Sequence, residues 1–193
     1  MTKRTQGYLV LCFAVLFSFT AFGQDANEAK PSPKDAQGFK EFSARVQEYV
    51  RLHDRIEKTL PKLKNSASSQ DIADHERALA AKIREARSGA RVGDIFTHDA
   101  SEAFVDAIAA EFHGPTGRSA RATIQQGEPI KNVDLEVNQM YPKALPYTSV
   151  PPTLLLKLPK LPGEVEYRIV DHDLLLLDVK ANLVVDILRE ALP

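Results

Sequence analysis

The 193-residue chain holds a single cysteine, Cys12, and no balance of charge in favour of either sign: 25 Lys and Arg stand against 26 Asp and Glu. Cys12 lies in an apolar N-terminal run, so a chain that loses that run has no disulfide, no thiolate metal ligand and no thiol nucleophile. Near-neutral, evenly mixed charge excludes an electrostatic nucleic-acid binder, which needs a strongly basic face. No glycine-rich phosphate loop and no internal repeat is present. Zinc-protease spacing fails as well: His75-Glu76 opens like His-Glu-x-x-His, but position 79 is leucine. Gly117-Arg118-Ser119-Ala120-Arg121 lacks the closing glycine of a nucleophile elbow. His98-Asp99 and Asp171-His172-Asp173 are short pairings expected by chance, and the second reads as a hairpin turn.

What is present begins with an export signal. Lys3 and Arg4 form a basic head, Tyr8 to Phe22 an uncharged apolar run, and Ala21-Phe22-Gly23 supplies small residues where a signal peptidase reads. Cleavage before Gln24 is therefore expected, with residues 1–23 a signal peptide and a periplasmic destination. The competing reading is an uncleaved N-terminal anchor, for which the run is short of the roughly 20 apolar residues a span needs. Leu11 before Cys12 argues against lipidation. Losing Lys3 and Arg4 with the leader moves the net charge from −1 to −3. No membrane span is expected after cleavage.

Residues 24–37, with Pro31 and Pro33, read as a flexible spacer. A first helix is expected over 38–60, because Phe39, Phe42, Val46, Tyr49, His53, Ile56 and Leu60 recur at steps of three and four and Pro61 stops the run. A second follows Ser68 or Ser69 with Asp71 near its positive end, a stripe of Ile72, His75, Leu79, Ile83, Ala86 and Ala90, and Gly89 or Gly93 as its close. The short connection makes the two an antiparallel hairpin. A third starts after Thr97, presents Phe104, Ile108 and Phe112, and ends at Gly114 as a left-handed cap before Pro115. A short fourth is expected over 115–125.

Beyond Pro129 the period changes. Val133, Leu135 and Val137 alternate with polar residues, as in a half-buried strand. Positions 142–162 carry six of the twelve prolines. Within them, Pro152 suits the first position of a helical turn over 153–158, and Pro159 to Pro162 suits an extended connector. Strands over 164–170, 174–178 and 183–188 then form a meander. Leu174 to Leu177 holds no polar residue, so both faces of that strand should be covered. The fold class expected is α+β: N-terminal helices over a small antiparallel C-terminal meander, residues 38–193 forming one domain.

One constellation points to chemistry. His53 and His75 fall in the apolar stripes of consecutive helices, and folding the pair about residue 65 sets them within one turn of each other. Asp71 precedes His75 by four. Two imidazoles and a carboxylate suit a divalent metal or a pH-sensitive joint, against the simpler reading of two hydrogen-bonded core-edge histidines. No other cofactor is implied. Asp134 with Glu136, and Glu164 with Glu166, share strand faces and suggest a hydrolase only if they line a pocket.

The segments Phe42 to His53, Leu60-Pro61, His75 to Ala80, Gly93-Asp94-Ile95-Phe96, Val150-Pro151-Pro152, Leu158 to Pro162 and Tyr167 to Pro193 resemble an uncharacterised family of exported bacterial proteins with no assigned activity. The closing residues are also similar to a tail on other small periplasmic proteins. The resemblance implies export and a shared fold, and transfers no site. A non-enzymatic envelope protein that binds an envelope component or a small ligand is the leading expectation; a metal- or pH-responsive binder and an envelope hydrolase are the alternatives.

Overall fold

The computed structural model describes residues 32–125, 134–146 and 148–193. Five helices come first: α1 (Pro33–Glu57), α2 (Ser69–Ala86), α3 (His98–His113), α4 (Gly117–Gln125) and the single turn α5 (Pro152–Leu155). Strands β1 (Val165–Val170), β2 (Asp173–Asp178) and β3 (Leu183–Leu188) follow, paired antiparallel in the order β1-β2-β3. This is the α+β architecture the sequence predicts.

Helix α1 starts five residues earlier than its hydrophobic period suggests, so 33–37 are not spacer. Ser32 and Asp35 form a reciprocal capping box, and Pro33 occupies the first helical turn, where its missing N–H is no loss. At the other end the helix stops at Glu57, short of Leu60. Helix α2 takes Ser68 as N-cap with Asp71 closing the box. It ends at Ala86, before either glycine, with Arg87 at the C-cap; Gly93, at φ +91°, turns the following loop instead. Thr97 caps α3 by position only, its side chain making no cap bond. Gly114 ends α3 in an extended conformation (φ −76°, ψ −179°), not the left-handed one expected.

Helix α1 packs chiefly on α3, with a lesser contact to α2. Gly38 permits the close approach, since a Cβ there would collide with the Asp99 carbonyl. Phe42 sits at the centre, its ring 4.7 Å from Phe104, 5.1 Å from Phe96 and 6.1 Å from Tyr167. The Phe96 and Tyr167 rings stack on it and the Phe104 ring is tilted to it, contacts that add to the stabilisation from area burial.

The sheet is covered on both faces, as the unbroken leucines of β2 require. Leu174 and Leu176 join the helix-side core with Tyr167, Ile169 and Val185. Leu175 and Leu177 face the other way, into a smaller core with Leu135, Tyr141, Val184 and Ile187. The segment that supplies Leu135 and Tyr141 is not the predicted strand. Val133 lies outside the described residues, and 134–139 carry no strand. Asn138, at φ 66°, turns the chain instead. Its N–H donates to the Val184 carbonyl at 2.8 Å, Val184 N–H donates to Gln139, and Met140 makes an isolated bridge to Leu183. The apolar alternation therefore serves as a cover over the sheet's second face. Asp171 and Asn182, at φ 54° and 48°, make the two hairpin turns, a conformation Asn and Asp tolerate better than other side chains.

Candidate functional site

The inner face of α1 carries Tyr49 and His53 to the end of β2, where Asp178 is fully buried. One Asp178 oxygen accepts from the Tyr49 hydroxyl and from His53 Nδ1, each at 2.6 Å. The other accepts from the backbone N–H groups of Lys180 (3.0 Å) and Ala181 (2.7 Å). A buried carboxylate is tolerable only with such partners. Asp178 thereby clips α1 to the β2–β3 turn.

The surroundings fix the protonation of its partners. Burial, then the Asp178 charge and hydrogen bond, push the Tyr49 hydroxyl well above its ordinary value, so it stays a donor. For His53, burial pulls the imidazole down, but the hydrogen bond and charge of Asp178, aided by Glu57, outweigh it and hold the ring above 6.5. His53 Nδ1 is committed to Asp178. Its Nε2 is buried without a hydrogen-bond partner, and Glu57 Oε2 stands 3.5 Å from it, one helical turn on. Both Glu57 oxygens take bonds of 2.9 Å from Lys180 Nζ. Burial raises the Glu57 carboxyl, but the hydrogen bond and charge of Lys180, aided by the neighbouring histidines, together outweigh it and leave the group below its ordinary value.

Two further buried carboxylates are likewise occupied. Asp186 of β3 accepts from the backbone N–H groups of Gly93, Ile95 and Phe96 at 3.0, 2.7 and 2.8 Å, and from that of Ile187 at 2.8 Å. It moors the α2–α3 loop to the sheet. Burial raises its carboxyl despite those donors. Glu111 of α3 accepts from Thr153 Oγ1 at 2.6 Å and pairs with Lys157 Nζ at 2.7 Å, tying α5 down. Arg87 acts as a strut between β3, the segment around Asn138 and α1, donating to the Val185 carbonyl and to Asn138 Oδ1, each at 3.1 Å, with its guanidinium 5.1 Å from the Tyr49 ring centre.

The structure treats the residues singled out in the sequence differently. His53 is paired with Asp178 and Glu57. His75 is half-buried and, with Asp71, lines an open cleft of about 580 Å³ between the 60–67 connection and the start of α2. Asp71 is exposed and engaged in its capping box. Among the described residues, the groups whose metal-ligating atoms come within 4.8 Å of one another are His53–Asp54–Glu57 and the exposed His98–Asp99–Glu102. The set His53, His75 and Asp71 is not one of them. Asp134 and Glu136 are exposed, and Glu166 is tied to Arg168 at 2.6 Å. Ala21, Gly23 and Gln24 lie outside the described residues.

Asp178, Asp186 and Glu111 are absent from the sequence-level reading. A trace of the first two was visible, because Asp186 is the one acid in the otherwise apolar β3 and Asp178 directly ends the four leucines of β2, a pattern that in a covered sheet demands internal donors. Compared with protein-family models, curated proteins and solved structures, the chain gives no match to any.

Proposed function

We propose that this is an exported cell-envelope protein that acts as a non-enzymatic binding or structural module. The observation that carries this reading is the state of its buried carboxylates. Asp178, Asp186 and Glu111 are the fully buried carboxylates among the described residues, and each is engaged by groups of its own chain, Glu111 by Thr153 at one oxygen and by the Lys157 ammonium at the other. Such groups hold elements together and leave no oxygen directed at a substrate. The cleft beside α2 offers a binding surface of mixed character, with Leu60, Leu63 and Ala78 beside Lys62, Asp74 and His75.

The reading is tested in two steps. Protein recovered from the envelope fraction is expected to begin at Gln24; recovery from the cytosol with residues 1–23 intact would remove export. A photo-crosslinking side chain at Leu63, beside the cleft, is expected to capture a defined envelope component or ligand, while the same group at Glu48 on exposed α1 surface captures none. Equal labelling from both positions argues for a purely structural role. Turnover of ester, glycoside, phosphoester or peptide substrates by the purified protein would overturn the non-enzymatic reading.

A further inference from the structure

We propose that His53 Nε2, Glu57 and Asp54 form a site for one divalent transition-metal cation, zinc by the chemistry of its donors, with Asp178 as the carboxylate that orients the imidazole. The inference goes beyond the binding module above and does not depend on the cleft.

Three observations carry it. The first is the orphaned nitrogen. His53 is 0% exposed, and its Nε2 is sealed from solvent without a hydrogen-bond partner, which is costly for a polar atom unless something else uses its lone pair. The second is orientation. Asp178 accepts from Nδ1 at 2.6 Å, so that nitrogen carries a proton, and when the ring is neutral its lone pair lies at Nε2. A carboxylate behind a ligating histidine is the usual means of fixing tautomer and ring angle, and it raises the basicity of the free nitrogen. The third is spacing. His53 and Glu57 lie at i,i+4 on α1, with Nε2 and Oε2 3.5 Å apart. A tetrahedral zinc at its normal bond lengths to nitrogen and oxygen sets such donors about 3.4 Å apart. Asp54 brings a third ligating atom within 4.8 Å of the others, and Glu57, 29% exposed at its side chain, provides a way in from solvent.

Lys180 opposes the metal. Its ammonium ion-pairs with Glu57 and must give up that carboxylate when a cation binds. Occupancy of this site is therefore a competition between Lys180 and a metal, and removing the lysine charge is expected to tighten binding. The exposed His98–Asp99–Glu102 cluster has no buried orphan and no orienting carboxylate, and serves as the internal comparison.

The test is a zinc titration of the purified protein by calorimetry, in mildly alkaline buffer because proton and metal compete for Nε2. Cobalt would be used in parallel for its ligand-field bands. One saturable zinc per chain is expected, weakened by at least about tenfold in Glu57→Gln, a loss of the order metal sites show when their supporting groups are removed. Lys180→Met is expected to bind more tightly than the parent, and His98→Ala to bind as the parent does. Glu57 and Lys180 sit near the surface, so their variants keep the fold and the readout survives even if His53→Ala does not fold. No saturable binding in either the parent or Lys180→Met overturns the proposal. So does binding that His98→Ala abolishes or that Glu57→Gln leaves unchanged. A protein that takes zinc here but captures nothing at Leu63 retains this site and loses the cleft reading; the reverse result retains the cleft and removes the site.

Discussion

His53 and His75 hold equivalent places in the sequence, each in the apolar stripe of one of two consecutive helices, yet they live in different surroundings. His53 faces the end of a sheet, meets the Asp178 carboxylate and is sealed by it. His75 faces the 60–67 connection, which carries no regular structure and leaves a cleft. The same contrast holds for the helices themselves. The buried stripe of α1 runs from Phe42 through Val46, Tyr49 and Val50 to His53, whereas α2 buries only Leu79, Ala80 and Ile83 and leaves Ile72 49% exposed. Amphipathic spacing says that a helix has an inner face; how much of that face is covered depends on what lies opposite.

The contrast can be broken most forcefully at Asp178. Asp178→Ala strands the Tyr49 hydroxyl, the His53 ring and two backbone N–H groups, and is expected to cost about 3–5 kcal/mol, the usual penalty for breaking a buried ionic contact. Urea unfolding measures it; a loss under about 1 kcal/mol would mean that the clip between α1 and the sheet is dispensable. Next comes Asp186→Ala, expected to cost roughly 2–3 kcal/mol by leaving the loop donors of Gly93, Ile95 and Phe96 unpaired. Hydrogen exchange should then show those amides opening ahead of the rest of the core. If they stay as protected as in the parent, the mooring of the loop lies elsewhere.

Glu111→Gln sharpens the comparison through pH, with an expected loss of about 1–2 kcal/mol near neutrality. Burial raises the Glu111 carboxyl, but Lys157, Thr153 and Thr116 more than reverse that, so its folded value lies below the ordinary 4.5. A depressed carboxylate stabilises fully above its unfolded value and loses that contribution as pH falls through its folded value. The gap between parent and variant should accordingly be constant above about pH 5 and close at lower pH. A gap that widens on acidification would show that the Lys157 pairing is not its source. The smallest effect belongs to the open region: His75→Ala is expected to change stability by less than about 0.5 kcal/mol, as surface substitutions do. A cost comparable with that of Asp178→Ala would erase the distinction between the two histidines.

Much of the fold was legible because it rests on local period and punctuation. The meander was readable from Asp171 and Asn182 at its turns and from the apolar strands between them. Ser68 with Asp71 marked the start of α2, and Pro152 marked the turn of α5. The boundary errors have local causes that outweigh the hydrophobic pattern. Ser32 and Asp35 extend α1 backward through residues with no apolar stripe, and alternation around Leu135 covers a sheet without pairing as a strand. The candidate site was half legible. His53 was singled out for its place in an apolar stripe, but its partners were sought on the next helix. Asp178 lies 125 residues away in sequence and reaches His53 only through the packing of α1 on the sheet.

Apart from the segment around Leu135, the sequence by itself determined the elements: which stretches are helices, which are strands, which faces are apolar, and that no thiol chemistry is available to a chain that has lost Cys12. These follow from side-chain spacing, caps and turn residues, all of which act within a few positions. Tertiary structure decided which polar groups became buried and with whom. Asp178, Asp186 and Glu111 are ordinary acids in the sequence, and each acquires its role from donors brought by a different element. Burial removes the water that would otherwise satisfy a polar group, so long-range packing supplies the partner, and no local pattern records that.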